Sequence, residues 1–199
     1  MLQVNSDQIK KLVPFLSADP TRRVLAYVGL QEGYLYATDG QKMGRLPVEA
    51  CGFDPAGFQD QTCFQVVKVG KSYALDVLKE AETFPNGAQL YKKGQGKRWT
   101  ITAGTGSKKS GQLMASLLYR LALQGVCMNP VQVAALPEGS YTVSAREDAR
   151  GLSPVFFVDG EFEAIIMPMR EDAEKVEAVE VVEAVAVVVG EETPSFQGA

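Results

Sequence analysis

Histidine is absent from this 199-residue chain. That removes the side chain most often used as a general base near neutral pH, and a leading metal ligand. Hydrolytic triads and most zinc chemistries become poor candidates, while carboxylate and lysine chemistry stay open. Cysteine is scarce: Cys51, Cys63 and Cys127 are odd in number, and no CxxC occurs. Neither a disulfide framework nor a zinc site is indicated, so the three read as small buried hydrophobes in a reducing compartment. No stretch reaches the ~18 consecutive apolar residues of a membrane span. The opening MLQVNSDQIKKLV lacks the basic start and apolar run of a secretory leader. The expectation is a cytoplasmic protein with no membrane partner. No carboxylate pair has a spacing that argues for catalysis. An enzyme is the least expected class, and neither a cofactor nor a metal is required.

What is present is an ordinary globular composition, 46% apolar and 22% charged. The net charge of −4 is unevenly divided. Residues 171–199 hold eight acidic residues and one lysine, whereas residues 1–170 hold 16 acidic and 19 basic. A mildly basic body therefore carries an acidic tail. Such a body can attract a polyanion where its lysines and arginines share a surface.

Hydrophobic spacing predicts a short helix over 7–17, capped by Ser6 or Asp7, with Ile9, Leu12, Val13 and Leu16 on one face. Pro14 is expected to kink or delay it. VLAYVGL, YLYATDG and KMGRLPV, across 23–48, read as a strand meander punctuated by turns. Residues 51–61 read as loop and FQVVKV (64–69) as a strand. SYALDVLKEA (72–81) reads as a helix with Ser72 as N-cap. AQLYKK and RWTITAG suggest a hairpin, followed by a flexible basic loop, GTGSKKSG (104–111). QLMASLLYRLALQ (112–124) is the most apolar helix. NPVQVAAL then forms a helix with Pro130 in its first turn. SYTVSA, SPVFFV and EFEAIIMPM read as strands, the last two joined at Asp159-Gly160. The valine-rich tail after Arg170 is expected to be flexible or loosely helical. A helix with a group of short strands thus recurs in 7–48, 64–103 and 126–169.

Two short segments carry a resemblance. Ala37-Thr38-Asp39-Gly40-Gln41-Lys42-Met43-Gly44-Arg45 resembles the ATDG-plus-basic segment of bacterial DNA polymerase III beta subunits, the sliding clamps. Ser153-Pro154-Val155 and Ile165-Ile166-Met167-Pro168-Met169-Arg170 resemble that family's closing strands. CMNPVQVAALPEGSYTVSA and FQVVKVGKSYALDVLKE are similar to units between them. ATDG or MPMR alone is a weak signal; together, in order and joined by these units, they are more specific.

The resemblance implies an α+β, DNA-clamp-like fold, with helices packed on antiparallel sheets in repeated helix-plus-strands units. It implies a clamp-like domain over 1–105 and a reduced second domain, or completing half, over 106–170. Residues 171–199 form the acidic tail. It further implies a homo-oligomeric ring around duplex DNA that acts as a polymerase processivity factor. DNA binding is then expected of Lys10, Lys11, Arg22, Arg23, Lys71, Lys79 and Arg120, because diffuse contacts with phosphate suit a sliding protein better than base reading. A pocket for peptides of DNA polymerase and other clamp-binding proteins is expected at Ser153, Pro154, Val155, Met167, Pro168, Met169 and Arg170, since methionines adapt to several apolar ligands.

The chain departs from the family in length, being short for two clamp domains, which suggests a phage or mobile-element version. It also continues for 29 residues past MPMR. That tail would emerge beside the pocket, where it could fold back and limit access. Two other classes stay open: a clamp-fold decoy or adaptor that binds host replication proteins without encircling DNA, and a structural assembly protein whose tail is an intersubunit strand. Trp99, beside Lys97 and Arg98, suits either a core strand or base stacking. Lys108 and Lys109 could touch phosphate. Gly94-Gln95-Gly96 lacks phosphate-loop spacing.

Overall fold

The computed structural model describes residues 1–78, 83–92, 97–103, 108–145 and 153–169, with residues 92, 97–103 and 108–112 described by their backbone. The expected tail and Arg170, Lys79 and the Gly94-Gln95-Gly96 turn lie outside the described residues.

Among the described residues, ten strands form one sheet. They are β1 (Leu2–Gln3), β2 (Val28–Gln31), β3 (Tyr34–Thr38), β4 (Lys42–Pro47), β5 (Cys63–Val69), β6 (Ser72–Val77), β7 (Lys97–Ala103), β8 (Gly139–Ala145), β9 (Val155–Asp159) and β10 (Phe162–Ile166). Their order is β1-β6-β5-β2-β3-β4-β10-β9-β8-β7. Every neighbouring pair is antiparallel. The helices are α1 (Ser6–Leu12), α2 (Gly87–Lys92), α3 (Lys108–Ala122) and α4 (Pro130–Val133).

The meander over 23–48 is present, but its first segment starts late. Arg23–Ala26 forms a 3-10 turn, and the strand begins at Val28. The expected helix over 7–17 ends at Leu12, and Pro14 sits in a 3-10 turn, Val13–Phe15. Its cap is Asn5, whose Oδ1 accepts from the Asp7 N–H at 3.2 Å. Ser6 does other work: its hydroxyl accepts from the Tyr73 N–H at 2.9 Å, tying α1 to β6.

The segment read as a helix over 72–81 is instead strand β6 as far as Val77. Its pairing with β5 puts Val69 opposite Ser72, which leaves Gly70-Lys71 as a two-residue turn. Gly70 has φ +63°, a conformation that such hairpin turns require. Ala74 and Leu75 are buried, but as neighbours in a strand with β1 on its other side. A second reading also changes. Gly87–Lys92 is a helix, and β7 pairs with β8 in place of a local hairpin. The middle unit, 64–103, therefore still holds a helix with short strands, but the helix is α2 and it follows both β5 and β6.

Alternation along the strands divides the core in two. Leu35 and Ala37 of β3, Leu46 of β4, Phe157 of β9 and Phe162, Ala164 and Ile166 of β10 face one way. They pack with Ile9 and Leu12 of α1, Leu117 and Leu121 of α3 and Val133 of α4. Tyr36 and Met43 face the other way, onto Phe84 and Ala88 at α2. One face of the sheet thus carries α1, α3 and α4, and the other carries α2. The larger core is continuous across both halves of the chain: Phe15 lies 5.8 Å from Phe162 between ring centroids, and Phe162 lies 6.5 Å from Tyr141.

On the α2 face, Arg45 is enclosed by aromatic rings. Its guanidinium carbon is 4.3 Å from the Tyr34 ring centroid and 3.9 Å from that of Tyr91. Nη2 donates to both Glu163 carboxylate oxygens, at 3.0 and 2.9 Å. Gln31, also buried, accepts from the Gly87 N–H at 2.9 Å and so holds the first turn of α2.

Candidate nucleic-acid interface and docking surface

The first candidate surface is the face bearing α1, α3 and α4. Their sequences contain five basic residues, Lys10, Lys11, Lys108, Lys109 and Arg120, against one acidic residue, Asp7. In a chain of net charge −4, this is a local excess of positive charge. Lys10 and Arg120 are exposed and Lys11 is half-buried. Among the described residues, no ion pair involves any of these three. They therefore offer charge outward, which is what contact with a polyanion needs. The basic loop expected at 104–111 resolves into helix from Lys108 onward. The outward side here is not wholly polar: Tyr119 of α3 and Leu123, in the turn just after it, are 66% and 65% exposed.

Of the other expected DNA contacts, Lys71, Arg22 and Arg23 are not on these helices, and Lys79 lies outside the described residues. Lys71 is at the tip of the β5–β6 hairpin, because the helix assigned to that region is a strand. Arg22 and Arg23 open the 3-10 turn that leads into β2. The Arg22 guanidinium lies against the β3–β4 turn: a methyl group placed on Gly40 would come within 3.0 Å of its Nη1.

That turn is the ATDG segment, and its side chains are consumed in building it. The Thr38 hydroxyl donates to the Lys42 carbonyl at 2.7 Å and accepts from the Gly40 N–H at 3.0 Å. Asp39 Oδ1 accepts from the Gln41 and Lys42 N–H groups, at 2.9 Å each. Its Oδ2 receives the Lys42 ammonium. Burial alone would raise the Asp39 carboxyl, but these donors outweigh it and hold the group below the usual carboxylate range. Gly40 supplies a φ of +93° that other residues rarely adopt. With Lys42 paired and Arg45 enclosed, the motif presents little free positive charge.

The second candidate surface lies beside this turn. The Met167 N–H donates to the Gln41 carbonyl at 3.0 Å, and the Met169 N–H to the Cys127 carbonyl at 2.8 Å. The Met-Pro-Met segment is thus anchored at one point to the β3–β4 turn and at the other to the segment preceding α4. The side chains of Gln132 and Gln41 hydrogen-bond across the same seam. Met167 and Met169 keep 42% and 44% of their surface exposed, and Val131, next to Gln132, keeps 76%. Ser153 and Pro154 are half-buried and reach the same end of the sheet, since Val155 pairs with Ile166. Val155 itself is fully buried and lies beneath this surface.

Gln41, Cys127, Val131 and Gln132 were missed by sequence reasoning. One local signal was available: Asn129 before Pro130 is a capping pattern, and Asn129 Oδ1 accepts from the Val131 N–H at 2.9 Å. That cap fixes where α4 begins and turns Val131 outward. Cys51 and Cys63 are buried, and burial pushes the Cys51 thiol up to about 12. No helix is long and apolar enough to cross a membrane among the described residues, and no cluster of candidate metal ligands occurs among them.

No family model matches the sequence, and no curated protein matches it. Solved structures do match the fold. The chain is similar to the Helicobacter pylori beta clamp bound to a DNA ligase peptide, with a TM-score of 0.51 and 12% identity over 85% of this chain and 65% of that one. It is similar to the Bartonella birtlesii DnaN sliding clamp, DNA polymerase III subunit beta, bound to griselimycin, with a TM-score of 0.50 and 12% identity over 83% and 65%. The chain spans just under two thirds of either neighbour. Its fold is DNA-clamp-like α+β, and its structural neighbours are bacterial sliding clamps at low sequence identity.

Proposed function

We propose that this chain is a non-enzymatic sliding clamp, a processivity factor that assembles into a homo-oligomeric ring around duplex DNA and docks replication proteins. The observation that carries the reading is the placement of the lysine- and arginine-bearing helices α1 and α3, with α4 beside them, on a single face of a continuous sheet. A ring that puts this face inward would meet phosphates with Lys10, Lys11 and Arg120. Scattered lysines acting through water attract a duplex without fixing a register, so the ring can move. Arg22, Arg23, Lys71 and Lys79 would contribute from the margins. Residues 106–170 would complete the sheet begun by 1–105. Met167, Pro168, Met169 and Arg170, with Ser153 and Pro154 beside them and Val155 beneath, would receive apolar peptides of a polymerase or other clamp-binding proteins. A phage origin and a cytoplasmic setting accord with this reading.

The test is retention. Purified protein should have an oligomeric mass by light scattering, stay on nicked circular DNA and run off the same DNA once it is linearised. A monomer with equal retention on both would overturn the proposal.

One observation favours a second reading. Tyr119 and Leu123 are large apolar groups exposed on the last turn of α3 and just beyond it, on the face that a ring would turn toward DNA. A clamp-fold adaptor would use them to hold a host replication protein. In that case, mixing with the host polymerase, clamp and loader should give mixed complexes and inhibit synthesis.

A further inference from the structure

We propose that the surface around Met167 and Met169 is a docking site for the chain's own acidic, valine-rich segment, residues 171–199. The inference concerns the methionine surface that the docking reading assigns to partner peptides, yet it does not depend on a ring or on DNA. If both hold, an incoming peptide must displace the tail.

Three observations converge. The surface is apolar and open: Met167 and Met169 are each more than two-fifths exposed, and Pro130 and Val131 stand exposed across the seam held by Gln41 and Gln132. Methionine side chains are flexible and polarisable, so they adapt to the branched side chains a valine-rich segment offers.

The segment is also covalently rooted in this surface. The Met167 and Met169 N–H groups are anchored to Gln41 and Cys127, so whatever follows Met169 starts within the surface. At no more than about 3.5 Å per residue, the tether from Met169 to any of the first five residues after it is shorter than roughly 20 Å. Tethering of this kind gives effective concentrations in the millimolar range. A contact as weak as ~0.1 mM in free solution would then cover the surface most of the time.

The charges are complementary as well. Residues 177–189 read EAVEVVEAVAVVV, in which glutamates alternate with small apolar residues. Beside the surface, Arg22 lies along the Gly40 turn with its side chain mostly exposed and a single loose ion pair, 4.0 Å to Asp19. Arg23 is its exposed neighbour. The valines suit the methionines, and the glutamates suit the two arginines.

The experiment uses the six methionines as reporters. Methyl-labelled spectra are recorded for the full chain, for a chain ending at Arg170, and for the full-length variant V179S/V182S/V185S. The last keeps the covalent surroundings of Met169 intact. The Met167 methyl signal should move to the same new position in both altered forms, and the Met169 signal should move in the full-length variant. Met43, buried against α2, should not move and serves as a check on folding. A synthetic 171–199 peptide added to the truncated chain should return Met167 toward its full-chain position. The variant R22E/R23E should weaken that titration at least fivefold.

Identical Met167 signals in all three forms would overturn the proposal. So would a peptide response at Met114 of α3 in place of Met167, or an unchanged titration in the arginine variant. DNA retention is read separately on the same samples. A protein that fails to hold circular DNA but shows these shifts has lost the clamp reading and kept the docking site.

Discussion

At the scale of single residues, Arg45 decides most. It is a charge taken largely out of water, held by two rings and a bidentate carboxylate. Removing one member of such a pair strands the other, at a cost of about 3 kcal/mol, whereas replacing both with apolar groups is often neutral. Arg45→Ala should therefore lower unfolding stability by about 3 kcal/mol, measured in urea. The double variant R45M/E163L should recover most of that loss. If the double variant is as unstable as the sum of the single ones, the pair is not coupled.

Asp39 gives a pH dependence. Its carboxyl is held low in the folded protein, so its contribution is present above the unfolded value near ~3.9 and is lost as pH falls through the folded value. Thermal stability of the native chain should drop below about pH 4. Asp39→Asn should be less stable near neutral pH and should lose less on acidification. Parallel pH profiles for the two proteins would count against the Asp39–Lys42 contact as the cause.

At the scale of elements, the misread segments show where spacing misleads. Ala74, Leu75 and Leu78 fit a helical stripe, but Ala74 and Leu75 serve a strand, with Leu78 just past its end, once the Gly70-Lys71 turn folds β6 back on β5. That turn is local and was visible. What was not visible was β1, a two-residue strand, waiting on the far side of β6. The strands β3, β4, β5, β8, β9 and β10 were legible because turn residues bracket short runs, all but β4 rich in β-branched and aromatic residues. The helix α2 was not, since its seat is built by distant groups: Gln31 at its start and the carbonyls of Met43 and Glu163, both of which accept from the Tyr91 hydroxyl at 3.2 Å. Gly29 of β2 belongs to the same seat. A methyl group there would fall 2.4 Å from the Phe84 ring. Gly29→Ala should thus cost about 1–3 kcal/mol by overcrowding, seen in chemical denaturation. No loss would mean that Phe84 has room to withdraw.

At the scale of the whole molecule, the sequence indicated which residues are basic but not which of them share a surface. Lys10, Lys11 and Arg120 come to one face only because α1 and α3, about a hundred residues apart, pack on the same side of the sheet. Lys71 illustrates the converse, a candidate moved to a hairpin tip by a single strand assignment. The shared face makes a quantitative prediction for DNA binding. Affinity plotted against salt, both logarithmic, falls by about 0.9 per phosphate neutralised. Replacing Lys10, Lys11 and Arg120 with glutamine should flatten that slope by roughly 2–3 without creating any sequence preference. An unchanged slope would place the contacts elsewhere.

The seam between β4 and β10 has a consequence for synthesis. Arg45 finds its carboxylate 118 positions downstream, so β4 leaves the ribosome long before its neighbour exists. Until Phe162–Ile166 emerge, the nascent chain carries an open strand edge that any passing strand could occupy. Growth conditions that slow translation late in the message, or a stop codon placed before Phe162, should therefore yield aggregates in place of a smaller folded fragment.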